Sequence, residues 1–87
     1  MMDPMSTVIV PFPRARDRGF ICKHARYMAT MSPRAAERHL QRQLRIQADT
    51  MAKRGVAPGV VDKHCLAIER AIRAEIWHEI LTPGGAA

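Results

Sequence analysis

The sequence predicts an all-α protein: a long antiparallel helical hairpin with a short first helix and an extended N-terminal arm. Three features lead there. Ser32-Pro33 is a strong helix start, because a serine hydroxyl caps free amides and proline suits the first helical position. Lys53-Arg54-Gly55 is an equally clear stop, with cations in the last turn and glycine beyond. Val61, Cys65, Ile68, Ile72, Ile76 and Ile80 then recur at steps of three and four. The 87 residues allow a single domain with a modest core.

The elements follow in order. Residues 1–16 form the arm. Val8-Ile9-Val10-Pro11-Phe12-Pro13 is β-branched and proline-interrupted, so it reads as extended chain able to dock in a groove through Val8, Ile9, Val10 and Phe12. Arg14–Arg18 form a basic hinge. A first helix is predicted over about 17–30, with Phe20, His24, Tyr27, Met28 and Met31 on its apolar side. The second is predicted over 33–54, roughly 33 Å long, with Leu40, Leu44, Gln47 and Met51 along one face. Gly55-Val56-Ala57-Pro58 turns the chain back into a third helix over 58–81, which Thr82-Pro83-Gly84 ends.

Fourteen Lys and Arg against eight Asp and Glu give a formal charge of +6, which favours anionic partners: nucleic acid, an acidic protein surface or a membrane face. Arg34, Arg38, Arg42 and Arg45 fall opposite the apolar face of the second helix and form the candidate contact for such a partner. Few aromatic residues argue against a stacking platform for single strands. At the end of the third helix, Ile72, Ile76, Trp77, Ile80 and Leu81 span an arc too wide for one facing helix, a candidate partner or dimer interface. No basic n-region opens the chain and no run reaches the roughly 20 apolar residues of a membrane span, so the expected setting is cytoplasmic, without membrane contact. Cys22 and Cys65 then read as small reduced hydrophobes.

Chemistry finds little support. There is no glycine-rich phosphate loop and no Ser-His-Asp set, and Cys65 beside His64 fails because adjacent helical side chains diverge. The same divergence disfavours zinc on Cys22, His24, His64 and Cys65. Glu75-Ile76-Trp77-His78 has the Glu-x-x-His spacing of ferritin-like carboxylate sites, and Glu37 would lie near the level of Glu75. His78 falls off the apolar stripe, however, where an inward ligand is needed. No enzyme, cofactor or resident metal is expected. The leading expectation is a regulatory or adaptor-like module that binds a protein partner or a second copy of itself. The alternative is a DNA-binding regulator using residues 25–45, and a ferritin-like dimer is a distant third.

Two resemblances bear on this. Ala25 to Leu40, with Ser32-Pro33-Arg34 and Glu37-Arg38-His39-Leu40, resembles the turn and recognition helix of response-regulator output domains, which often read A-x-x-L-G-[IV]-S-P-R-T-V-E-R-H-L. It implies base or phosphate contacts by Arg34, Arg38 and Arg42. The chain carries one extra residue before Ser32, and Ala29 stands near the usual glycine. Separately, Val8 to Arg16, Gly19-Phe20-Ile21, Gly55-Val56-Ala57-Pro58 and Leu81-Thr82-Pro83-Gly84 are similar to a group of short uncharacterised bacterial proteins that open V-I-P-F-P-x-x-R and end L-T-P-G. That resemblance implies one compact unit and carries no mechanism.

Overall fold

A computed structural model describes residues 13–81. The described chain is helical, without a strand: a short 3-10 turn, Arg14–Arg16, then α1 (Arg18–Ala29), α2 (Pro33–Lys53) and α3 (Pro58–Leu81). Residues 14–16, expected to continue the arm, instead close a turn. Arg16 N–H donates to the Pro13 carbonyl and Asp17 N–H to that of Arg14, each at 3.0 Å. The turn tucks Ala15 against the core. The remainder of the arm, with Val8, Ile9, Val10 and Phe12, lies outside the described residues.

Each helix boundary has a local cause. Asp17 accepts from the Phe20 amide at 3.1 Å and so caps α1. Ser32 does the same for α2, its hydroxyl accepting from Ala35 N–H at 3.2 Å, with Pro33 in the first turn. At the other end Gly55 adopts φ +87°. This lets Val56 N–H reach the Met51 carbonyl and Gly55 N–H that of Ala52, the paired bonds of a Schellman motif. The chain then reverses within three residues into α3.

α3 is the central element, packed against α1, α2 and the 3-10 turn. Its Ile68 and Ile72 meet Ile21 and Met28 of α1 and Leu40 of α2 in one buried cluster. Beside α2, the Cys65 thiol donates to the Leu44 carbonyl at 3.7 Å and Arg73 reaches Glu37 at 3.0 Å. As numbers rise along one helix they fall along the other. Beside α1, Arg18 pairs with Glu75 and Arg26 with Glu79, so numbers rise together. The inward face of α1 is Ile21, His24, Ala25 and Met28. Tyr27, expected inward, is 57% exposed, because the face that meets the core is centred one residue to the side of the aromatic row.

Gly55 is left-handed with open space where a Cβ would stand, whereas Gly59 has equally open space and no positive φ. Gly55→Ala is therefore expected to cost about 1–2 kcal/mol through conformation alone. Gly59→Ala should be neutral or stabilising by up to about 1 kcal/mol. Urea unfolding of the two variants checks the contrast, and equal midpoints would contradict it.

Candidate functional site

The second helix presents a row of arginines to solvent. Arg34, Arg38, Arg42 and Arg45 are all exposed, and with Pro33, Glu37 and Gln41 they line an open groove of about 670 Å³ along α2. Steps of four, four and three keep the row on one side of a helix with 3.6 residues per turn. The capped N-terminus at Ser32 holds the first of them in place, and Leu40 on the opposite face anchors the helix in the core.

Four of the arginines outside the row are paired with acids, whereas Arg16, Arg54 and Arg70 have none within ion-pair distance among the described residues. Arg14 binds Asp17 at 3.0 Å, Arg18 binds Glu75 at 2.7 Å, and Arg26 lies 3.5 Å from Glu79. Arg73 holds both Glu37 and Glu69. Among the described residues, none of the four groove arginines has an acidic partner within ion-pair distance. Glu37 stands inside the row, but its carboxylate is taken by Arg73 from α3 and by the Gln41 amide at 3.0 Å. The Arg73 hydrogen bond holds the Glu37 carboxyl below its ordinary range, so it remains an anion neutralised from behind.

The third helix ends in an apolar surface. Trp77, Ile80 and Leu81 are 63%, 54% and 72% exposed. Ile72 does not belong to it. It is fully enclosed by the chain's own core, because α1 brings Ile21 and Met28 over that part of α3, and Ile76 is half-buried against the same cluster. The exposed remainder is thus smaller than the sequence pattern implied.

The metal arrangements do not assemble. Glu75 accepts from Arg18 and Glu37 from Arg73, while His78 is exposed, so each acid of the ferritin-like half-site already has a cation. Cys65 faces the α2 backbone and His24 is committed to another ring. Among the described residues, no three His, Cys, Asp or Glu side chains group closely enough to hold an ion. Burial also pushes the Cys65 thiol up, away from the reactive thiolate.

One arrangement escaped the sequence reading. His24 Nδ1 of α1 lies 2.9 Å from His39 Nε2 of α2, a hydrogen bond in which one ring donates and the other accepts. Phe20 sets its ring edge-on to His24, and Tyr27 sets its ring edge-on to His39. Burial is the main influence lowering both imidazoles below the ordinary 6.5. The signal present in the sequence was His24 within an apolar row. Its partner fifteen residues away depends on how two helices cross.

No helix of the described residues is long and apolar enough to cross a membrane. Searches of curated proteins and of solved structures returned no match. A protein-family model described as "Family of unknown function (DUF6074)" matches residues 5–87. The all-helical unit with its exposed arginine row therefore belongs to that family.

Proposed function

We propose that the chain is a small non-catalytic binding module, regulatory or adaptor-like, that seats an acidic protein partner on the arginine row of α2. In this reading α2 and α3 form an antiparallel hairpin with α1 on its flank, and the Val8 to Phe12 arm adds a second contact. The observation that carries it is the division of the arginines. Four share one side of α2 without an acid, while Arg14, Arg18, Arg26 and Arg73 each hold one, and Arg16, Arg54 and Arg70, also unpaired among the described residues, stand singly elsewhere. Like charges four residues apart destabilise a helix by about 0.2–0.5 kcal/mol per pair. The row therefore does nothing for folding, and its value lies in steering and registering an anionic surface. The free thiols of Cys22 and Cys65 support a reducing, cytoplasmic setting.

A second reading is duplex DNA. The Ser32-Pro33-Arg34…Glu37-Arg38-His39-Leu40 segment favours it, since the exposed start of α2 is where a recognition helix meets bases. Fluorescence anisotropy separates the two, using a polyglutamate peptide and a random duplex as probes. Under the protein-partner reading, the peptide binds more tightly near physiological salt, and Arg38→Ala with Arg42→Ala weakens it about tenfold or more, a change of about 1.4 kcal/mol. Preference for the duplex, with affinity falling steeply as salt rises, would favour DNA instead. No binding of either probe at tens of micromolar would remove the row as an anion-binding surface.

The Trp77, Ile80 and Leu81 surface supports self-association as part of the same module. Burying one such side chain is worth about 1.5–3 kcal/mol. Analytical ultracentrifugation is expected to show a dimer that Trp77→Ala weakens. A strict monomer at tens of micromolar would refute the dimer and leave the arginine row unaffected.

A further inference from the structure

We propose that His24 and His39 form a proton-operated latch between α1 and α2, closed while the pair holds at most one extra proton and opened by a second. The argument starts from the 2.9 Å contact between His24 Nδ1 and His39 Nε2. With both rings neutral, one nitrogen carries the hydrogen and the other offers its lone pair. A first proton adds to an outer nitrogen of the donor ring and leaves the shared bond intact. A second places N–H groups on both facing nitrogens and two positive rings side by side. The bond becomes a clash, and separation of the helices relieves it.

The surroundings sharpen the response. His24 is buried, and its ring meets Phe20 edge-on while His39 meets Tyr27. From the 3-10 turn Arg14 acts on His24, from α1 Lys23 acts on the same ring, and from α2 Arg42 acts on His39. On α3, Glu75 and Glu79 are engaged by Arg18 and Arg26, and among the described residues no carboxylate acts on either imidazole. Burial and the neighbouring cations thus oppose charging from each side.

The direction with pH follows. Both folded rings take protons less readily than free histidine, whose ordinary value is 6.5. In unfolded chain they charge first as pH falls. The contribution to stability is therefore present above that value and lost as pH drops through the lower folded values. The loss concentrates at the α1–α2 contact. Ile21 and Met28 hold α1 to Ile68 and Ile72 of α3 through buried apolar contact that does not titrate, so acid frees α1 from α2 before it frees it from the central helix.

Ring-nitrogen NMR titration of the full chain, together with amide exchange read as protection factors, tests the latch. The expected result is two coupled steps for His24 and His39 below the ordinary value. Protection at the α1–α2 contact should fall about tenfold for each unit of depression as pH drops from about 7 to about 5. His39→Gln keeps a donor and an acceptor but cannot charge, so it should abolish that fall and leave a single step at His24. Independent titration of both rings at the ordinary value in wild type would overturn the proposal, whatever the variant does. So would coupled titration without loss of protection.

Discussion

Everything in this fold hangs on Ile68 and Ile72 of α3 being wrapped from two sides. Ile21 and Met28 arrive from α1 and Leu40 from α2, and these five residues make up the buried cluster. A small domain has few such residues, and each fully buried aliphatic side chain contributes about 1.5–3 kcal/mol. The partly buried Ala15, Phe20, Met31, Ala36, Leu44, Ala71 and Ile76 pack around that cluster. The caps at Asp17 and Ser32 and the left-handed Gly55 set where the helices begin and end, and the isoleucine pair sets how they assemble.

Charge is distributed around this core in two populations. The arginines near the α1–α3 and α2–α3 contacts are matched with acids, and the matching is local and mostly exposed, so each pair adds little to stability. The arginines on the outer face of α2 are unmatched among the described residues. Glu37 beside the row is engaged by Arg73 of α3, while Asp49, one turn beyond Arg45, forms no ion pair among the described residues.

Much of the secondary structure was legible because its causes are local. Ser32-Pro33 and Gly55 act through their immediate neighbours, and the structure shows the hydroxyl cap and the positive φ those residues permit. The arginine row was legible for the same reason: helical spacing alone puts Arg34, Arg38, Arg42 and Arg45 on one side. What failed depends on contacts between helices. The spacing of Phe20, His24, Tyr27, Met28 and Met31 points Tyr27 inward, yet it is exposed, while Ala25, too small to register as an anchor, is fully buried. Ile72 was assigned to the surface patch because the covering residues sit on α1, whose placement no periodicity reveals. The 3-10 turn at Arg14–Arg16 replaced extended chain because Ala15 has a core to enter. The Glu37–Arg73 pair and the His24–His39 contact likewise require knowing which turn of one helix lies beside which turn of another.

The Glu37–Arg73 pair has a consequence for when the molecule is competent to recognise anything. Glu37 lies between Arg34 and Arg38, and only a side chain delivered from α3 cancels its charge. On an α2 detached from α3, the same segment would read plus, minus, plus at its start, with a bare carboxylate facing the incoming anion. The unbroken cationic row is thus a property of the assembled tertiary structure and not of the helix that bears it. A nascent or partly unfolded chain would display a broken version of that row, so the proposed seating of an acidic partner there would depend on correct assembly.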